Sequence, residues 1–123
     1  GILRAEDAAK MEGFGVDAVW VSNHAGRQFD AAPATIEALP GVRAATDLPV
    51  IFDSGVEGGL DVMRALALGA DFVMLGRAWH YGLAAFGPKG LNHVAGIFEK
   101  DLIANRQQIG AQRLADLRGQ AFV

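Results

Sequence analysis

The chain has 123 residues, of which 51% are apolar and 20% are charged, and its formal net charge is −3. This length allows one domain with a moderate core, and the small negative charge argues against a nucleic-acid-binding surface. Because the sequence contains no cysteine, disulfides and cysteine-ligated zinc or iron–sulfur centres are excluded, and no apolar run approaches the length of a membrane span.

Helical patterns and short apolar runs alternate along the first half of the chain. A helix is predicted over residues 5–13, followed by a strand at 17–22. A second helix is predicted over residues 35–46, where Pro40 and Gly41 would divide it into two turns. The strand is apolar without polar alternation, which is typical of a parallel strand covered on both faces.

The second half of the chain continues the same alternation. Glycines mark the ends of its helical segments, as is common at the C-terminus of a helix. The order of helices and strands predicts a parallel sheet. The predicted elements are a strand at 49–53, a helix over 58–68 that stops at Gly69, a strand at 71–76, a long amphipathic helix beyond Gly90 and a short helix over 112–118.

The predicted sheet is too small to close into a barrel. Residues 12–21 and 66–75 share a pattern of helix end, glycine turn, aspartate and buried strand, and such repeated units build a TIM (β/α)8 barrel of about 250 residues. An open sheet of three strands would leave apolar edges and faces exposed. We therefore expect an α/β fold in which residues 1–123 are an incomplete domain, the C-terminal part of such a barrel with about strands six to eight. A doubly wound sheet is the alternative.

Residues suited to acid–base chemistry follow the first predicted strand. His24 has a side chain whose ordinary pKa suits proton transfer near neutral pH, and Arg27 can hold a carboxylate through two hydrogen bonds. Gly26 allows a tight turn between them. A base beside a carboxylate anchor suits an acid substrate that must lose hydrogen at its α-carbon. The spacing alone equally allows His24 to end the strand and Arg27 to pair with Asp30.

Two elements suited to phosphate follow the other strands. Residues 53–59 (DSGVEGG) form a glycine-rich turn into a helix, where backbone N–H groups can bind an anion. Gly76 and Arg77 supply an N–H and a guanidinium at the end of the next strand. Each element alone is also compatible with an ordinary turn. On neighbouring parallel strands, the two together predict a phosphate site.

A longer motif carries a resemblance to a known family. Residues 22–30 (SNHAGRQFD) resemble the active-site signature of the FMN-dependent α-hydroxy-acid dehydrogenases and oxidases, which include glycolate oxidase and L-lactate dehydrogenase, and the similarity continues to residue 85. The resemblance implies that His24 is the catalytic base and contacts the substrate, and that Arg27 binds the substrate carboxylate. FMN is the implied cofactor. The residues implied in its binding are Ser22, Asp53, Ser54, Gly55, Val56, Glu57, Gly76 and Arg77.

The sequence departs from the family pattern at two positions. Ala25 stands where the family usually has glycine, and its methyl group lies in a loop that is predicted to be tight. Glu57 stands where arginine is frequent, and its carboxylate would repel a phosphate. We therefore expect Glu57 to point outward, with Arg77 and the amides of the turn binding the phosphate.

The resemblance also implies a reaction and its partners. The reaction is oxidation of a small L-2-hydroxy acid, such as lactate or glycolate, to the 2-oxo acid, by either a hydride or a carbanion route. The electron acceptor is oxygen, a quinone or a cytochrome, and the full-length protein is a homo-oligomer in the cytoplasm, or at the membrane surface if a quinone is used. The remaining family site residues lie on earlier strands, with a lysine expected directly before Gly1. We therefore expect an isolated piece of this length to be inactive.

Two other functions remain as alternatives. One is a different phosphate-binding barrel enzyme, of the type 2 isopentenyl-diphosphate isomerase or inosine-monophosphate-dehydrogenase kind. Such an enzyme would share the glycine turn and the Gly-Arg pair, but not the run at 22–28. The other is a non-catalytic fragment that associates with another chain, and this fragment would carry no flavin.

Several other residues are predicted to be structural. Trp20, on the first strand, is predicted to lie in the core. His80 and His93 are predicted to lie on helix faces, the charged residues 99–101 on a solvated helix face, and residues 87–90 in a turn between helices.

Overall fold

The computed structural model describes residues 1–120, in which helices alternate with three short strands. Single 3₁₀ turns occur at Glu12–Phe14, His24–Gly26 and Leu114–Leu117. The longer elements, in chain order, are α1 (Ala5–Met11), β1 (Val19–Val21), α2 (Thr35–Ala44), β2 (Val50–Phe52), α3 (Gly59–Ala67), β3 (Phe72–Val73), α4 (Arg77–Phe86) and α5 (Pro88–Gln108).

The strands form one parallel sheet in the order β1-β2-β3. Val19 pairs with Val50, and Ile51 pairs with Phe72. The α/β class and the parallel sheet that the sequence predicts are therefore confirmed, although each strand is shorter than predicted. Since all three strands run in the same direction, the loops that follow them lie at one edge of the sheet.

One face of the sheet carries the core. Val19, Val21, Val50 and Phe52 are buried on this face. They pack with buried residues of the three helices α1, α2 and α3, namely Ala8, Leu39, Val42 and Ala65. The helices that connect the strands thus cover the same side of the sheet.

The opposite face of the sheet is bare. Trp20, Ile51 and Phe72 lie in register across the three strands, and Trp20 and Phe72 are 44% and 62% exposed. The prediction that Trp20 is a core residue is therefore wrong for this chain. Successive side chains of a strand point to opposite faces, and the described residues cover only the face that carries Val19 and Val21.

Three helical segments differ from the predicted pattern. Helix α2 continues through Pro40, because the burial of Leu39 and Val42 against the sheet offsets the missing backbone N–H. The predicted turn at 87–90 is only Gly87, with φ of +58°, and Pro88 begins α5. Proline suits the first position of a helix, where its N–H would have no partner. The short helix predicted over 112–118 is the 3₁₀ turn Leu114–Leu117.

Helices α4 and α5 form a tight antiparallel hairpin. A Cβ added to Gly90 would lie 1.8 Å from the Gly82 carbonyl oxygen, so the two backbones touch at this point. Although α5 has 21 residues, no helix within residues 1–120 is both long enough and apolar enough to cross a membrane.

Side-chain contacts within the protein join the segments at the amino end of the sheet. Asp71 accepts hydrogen bonds from the Val50 N–H at 2.9 Å and from Arg118 at 2.6 Å, and it also pairs with Arg43. Burial raises the pKa of Asp71, but these hydrogen bonds and the charges of both arginines outweigh it, so the pKa lies below its ordinary value. At the same end, the Thr46 hydroxyl donates to Glu12.

Candidate active site

A cleft opens at the carboxyl end of the sheet, where the loops after β1, β2 and β3 meet. Its volume is about 840 Å³, and all the predicted site residues except Ser22 line it. The sequence had placed these residues in three separate segments, and the parallel sheet brings them together. Five further residues also line the cleft and were not predicted there: Ala25, Met74, Ala78, His80 and Tyr81.

The loop after β1 has an unusual backbone. His24, Ala25 and Gly26 all have left-handed φ angles, of +54°, +55° and +73°. Glycine adopts this conformation freely, whereas it is strained for residues with a side chain. The predicted need for flexibility at Gly26 is therefore confirmed, and the methyl group of Ala25 sits where glycine would fit without strain. The His24 N–H donates to Ser22 Oγ at 3.1 Å, which gives Ser22 a structural role in this loop.

The imidazole of His24 is exposed and has a partner within its own loop. Its Nδ1 lies 2.8 Å from the amide oxygen Oε1 of Gln28. An amide oxygen only accepts hydrogen bonds, so this contact places the proton on Nδ1 and leaves Nε2 free to accept one. A residue four positions away thus sets the tautomer that a general base requires. The sequence contained Gln28 in the motif but did not indicate this contact.

The guanidinium of Arg27 is open to the cleft. No carboxylate of the described residues lies within ion-pair distance of it, so the alternative pairing with Asp30 is absent in this part of the chain. Arg27 and His24 line the same cleft. The loop therefore presents a free cation and a free imidazole nitrogen toward one space.

The turn after β2 is held by its own side chains. Ser54 and Gly55 have left-handed φ angles of +76° and +77°. The Ser54 hydroxyl donates to Asp53 Oδ1 at 2.6 Å, and the Glu57 N–H donates to Asp61 at 3.0 Å. One of the amides predicted to bind phosphate, that of Glu57, is thus already satisfied within the protein.

The N-terminus of α3 is capped from α5. Asp101 Oδ2 accepts the Leu60 N–H at 3.1 Å, and Asp101 Oδ1 accepts a hydrogen bond from Asn105. The close approach of α5 requires glycine at position 59, where a Cβ would lie 2.1 Å from the Leu102 nitrogen. Asp101 is therefore a structural cap and not part of a solvated face as predicted. A carboxylate here repels anions, so the first turn of α3 is a poor phosphate site.

The first turn of α4 is better suited to an anion. It begins at Arg77, which lines the cleft, and the first N–H groups of a helix have no partner within it. The Arg77 guanidinium lies 3.8 Å from Glu57 Oε1, and the two side chains are 57% and 81% exposed. Glu57 is thus exposed, as predicted, yet it remains close to the guanidinium of Arg77. His80 Nδ1 lies 3.1 Å from the Gly76 carbonyl oxygen, one turn along α4.

The cleft carries charged groups of both signs. Within residues 1–120, no group of three or more histidine, aspartate or glutamate side chains is placed to hold a metal ion. The cleft contains two guanidinium groups, of Arg27 and Arg77, against the carboxylates of Asp53 and Glu57. Two cationic positions in one cleft suit a ligand with two separate anionic groups, or two ligands with one each.

Comparison with known proteins identifies the family to which this chain is similar. A family model described as FMN-dependent dehydrogenase matches residues 1–123. The L-lactate dehydrogenase of Chromohalobacter salexigens is 45% identical over 125 residues, which are 100% of this chain and 32% of that protein. The L-lactate dehydrogenase of Vibrio cholerae is 44% identical over 100% of this chain and 33% of that protein. The chain therefore spans about a third of the length of these relatives.

Solved structures agree with the family model. The crystal structure of the monotopic membrane protein (S)-mandelate dehydrogenase matches with a TM-score of 0.93 and 44% identity, over 96% of this chain and 32% of that one. A structure named as a lactate oxidase of Pediococcus acidilactici matches with a TM-score of 0.94 and 40% identity, over 98% of this chain and 34% of that one. From the sequence match along its whole length and the shared fold, the chain belongs to the family of FMN-dependent dehydrogenases, oxidoreductases whose cofactor is FMN.

Proposed function

We propose that this chain is part of an enzyme that oxidises an L-2-hydroxy acid, such as lactate or glycolate, to the 2-oxo acid. The observation that carries the proposal is the pairing of His24 and Arg27 in one cleft. The first offers an unprotonated ring nitrogen, and the second offers an unpaired guanidinium. The relatives are named for lactate and mandelate, which are both 2-hydroxy acids.

Arg27 and His24 have separate tasks in this proposal. Arg27 binds the substrate carboxylate through two hydrogen bonds, which fixes the orientation of the α-carbon. His24 Nε2 then accepts a proton, from the hydroxyl group in a hydride route or from the α-carbon in a carbanion route. Gln28 stabilises the resulting imidazolium because its amide oxygen accepts a hydrogen bond from the Nδ1–H group. Arg27, His24 and Gln28 have the same roles in the hydride route and in the carbanion route.

The other end of the cleft fits FMN. The Arg77 guanidinium and the first amides of α4 would hold the phosphate, while Asp53, Gly55 and Val56 would face the ribityl chain and the ring. The hydroxyl groups of Ser22 and Ser54 bond to the loop after β1 and would support this site from behind. FMN supplies the acceptor for the two electrons that leave the substrate. The carboxylate of Glu57 opposes the phosphate, and its exposed position limits the repulsion.

We further propose that the described residues are about strands six to eight of a (β/α)8 barrel. The connecting helices cover one face of the sheet, as in a barrel, whereas a doubly wound sheet has helices on both faces. The bare face with Trp20 and Phe72 would then line the barrel interior. The Ile2 N–H donates to the Trp20 carbonyl oxygen at 2.8 Å, so the segment before α1 already pairs alongside β1.

A barrel of this kind places the start of the chain at the active site. A Cβ on Gly1 would lie 1.9 Å from the Ser22 carbonyl oxygen, so Gly1 lies against the end of β1. A lysine before Gly1 in the full-length protein would therefore enter the cleft edge. The isolated segment lacks that residue and the other side of the site, and we propose that it is inactive alone.

The partners follow from the same proposal. The relatives include a structure named as an oxidase and a membrane-associated dehydrogenase, so oxygen, a quinone and a cytochrome all remain candidate acceptors. We propose a homo-oligomeric cytoplasmic enzyme, attached to the membrane surface if its acceptor is a quinone.

The proposal is tested on the full-length protein that contains this segment. Purified protein is expected to show a flavin absorption spectrum, to release FMN on denaturation, and to lose its visible absorbance when L-lactate, glycolate or L-mandelate is added without oxygen. The isolated segment is expected to give no turnover. A full-length protein that binds no flavin, or that holds FMN unchanged in the presence of all three acids, would contradict the proposed function.

A further inference from the structure

The hydroxyl group of Ser54 connects the two halves of the cleft. The Ala25 N–H donates to Ser54 Oγ at 3.0 Å, across 29 residues of sequence. Ser54 Oγ in turn donates to Asp53 Oδ1 at 2.6 Å. A short chain of hydrogen bonds thus runs from the loop that carries His24 and Arg27 to the turn that faces the cofactor.

The same residue is held from a third side. The Thr35 hydroxyl, at the first position of α2, donates to the Ser54 carbonyl oxygen at 3.0 Å, and Thr35 is buried. The Ser54 hydroxyl donates a hydrogen bond to Asp53 and accepts one from the Ala25 N–H. Its polar atoms are engaged within the protein, so its side chain is poorly placed to be a ligand of the flavin itself.

The contact falls within the loop after β1, residues 22–28, which we call the catalytic loop, at a point where its backbone is left-handed. His24 and Ala25 are consecutive left-handed residues, and Ser54 is also left-handed. Non-glycine residues hold such angles only when surrounding contacts fix them. Ala25 lies between the proposed base and the proposed carboxylate ligand, so a hydrogen bond to its N–H fixes the backbone from which both side chains project.

We propose that Ser54 is a positioning residue that couples the catalytic loop to the cofactor-binding turn. The proposal rests on the proposed function of the site. Through its hydroxyl group, the shape of the turn at Asp53 determines where the His24–Arg27 loop lies. Ser54 itself touches neither substrate nor cofactor in this role, and acts only through Ala25 and Asp53.

The test compares two variants of the full-length holoenzyme. Ser54→Gly removes the hydroxyl and keeps the left-handed backbone, which glycine adopts freely. Ser54→Ala removes the hydroxyl and retains the backbone strain. If the hydroxyl matters, both variants lower kcat/KM for L-lactate by about tenfold, since small misplacements of catalytic groups have effects of at least this size. Ser54→Ala is also expected to unfold at a lower temperature than Ser54→Gly, because it retains the backbone strain.

A second measurement separates positioning from loss of cofactor. Ser54→Gly is expected to keep one FMN per chain with a dissociation constant within about threefold of the wild-type value, because Arg77 and the α4 amides remain. The dissociation constant of pyruvate, measured by its perturbation of the flavin spectrum, is expected to rise by about tenfold. Wild-type kcat/KM in Ser54→Gly, or a loss of activity explained fully by lost FMN, would overturn the inference.

A control at the other end of the sheet tests whether any lost hydroxyl has this effect. Thr46 is also buried, and its hydroxyl donates to Glu12 at 2.8 Å. Thr46→Val is expected to lower thermal stability and to leave kcat/KM and pyruvate binding unchanged. If the wild-type protein oxidises lactate and Ser54→Gly has the same kcat/KM and the same pyruvate affinity, only the proposed positioning role of Ser54 is excluded. If the wild-type protein binds no flavin, the proposed function fails.

Discussion

The two ends of the sheet differ in how their charged side chains are paired and in the conformation of their loops. At the amino end, Asp71 is held by the Val50 N–H and by two arginines, Arg43 and Arg118. At the carboxyl end, Arg27 has no carboxylate partner among residues 1–120, and the Arg77 guanidinium lies 3.8 Å from Glu57. The non-glycine residues with left-handed backbone in the described chain, His24, Ala25 and Ser54, all lie at this end.

The difference indicates where stability and chemistry are located. Ion pairs satisfied within the protein stabilise the fold and leave nothing for a ligand to bind. Strained loops with unpaired charges are less stable, and they persist because the rest of the protein fixes them. We therefore expect substitutions at the amino end to change the free energy of unfolding, and substitutions at the carboxyl end to change binding or catalysis. The predictions below test this separation in the full-length protein, from the largest expected effect to the smallest.

The largest effect is expected at His24. His24→Gln removes the proton acceptor while keeping a polar side chain, so kcat for L-lactate should fall by about 10³-fold, as for the loss of a general base. The midpoint of thermal unfolding should not change, because the imidazole is exposed and its Gln28 contact is local. His93→Gln is the matched control, since His93 only packs edge-on against Phe86. A His24 variant with more than a tenth of wild-type kcat would exclude its role as base.

At Asp71, by contrast, a substitution is expected to lower stability and to leave catalysis unchanged. Asp71→Asn removes the charge that pairs with Arg43 and Arg118. The free energy of unfolding should fall by about 1–2 kcal/mol, a value that allows for the partial exposure of the pair, while kcat/KM stays within twofold. Denaturant unfolding and steady-state kinetics measure the two quantities. Asp47→Asn, an exposed carboxylate at the same end, is expected to change neither. A large change of kcat/KM in Asp71→Asn would break the separation between the two ends.

The contribution of Asp71 should depend on pH in a defined direction. Its pKa in the folded protein is lowered from the ordinary value of 3.8. A carboxyl group with a lowered folded-state pKa contributes stability that is present above its unfolded pKa and is lost as the pH falls through the folded value. The difference in unfolding temperature between wild type and Asp71→Asn should therefore be constant from about pH 5 upward and shrink below 3.8. A difference that grows in acid would contradict the assigned sign.

The smallest effect is expected at Glu57. Glu57→Gln removes the carboxylate that lies 3.8 Å from the Arg77 guanidinium, so FMN should bind about threefold more tightly, in line with the small energy of exposed ion pairs. Riboflavin, which has no phosphate, should bind with unchanged affinity. Fluorescence titration of the apoprotein with each flavin measures both constants. Glu99→Gln, on the exposed surface of α5, serves as the control, and an equal gain for riboflavin would show that Glu57 does not act on the phosphate.

The sequence predicted the location of the site better than its internal contacts. The order of elements requires a parallel sheet, and a parallel sheet brings the loops at 22–28, 53–57 and 76–77 to one edge. Element order alone brings these loops together, so they meet at one edge even though the predicted strand bounds were too long. The family motif then named His24 and Arg27, and both line one cleft in the structure. Their roles stay predictions.

Contacts between distant segments could not be predicted in this way. Asp101 was assigned to a solvated face because its neighbours are charged, yet it caps α3 from 41 residues away. Trp20 was assigned to the core because its strand is apolar, although the described residues cover only one face of that strand. The bond between Ala25 and Ser54 likewise depends on how two loops meet, and no local pattern encodes this.

The contact between Gly82 and Gly90 joins helix α5 to helix α4, which begins in the cleft. Helix α4 begins in the cleft at Arg77, and α5 passes behind it to the start of α3, where Asp101 contacts Leu60. The two helices touch backbone to backbone, so neither can shift without moving the other. The position of Arg77 therefore depends in part on helix packing at Gly82 and Gly90, two residues that do not line the cleft.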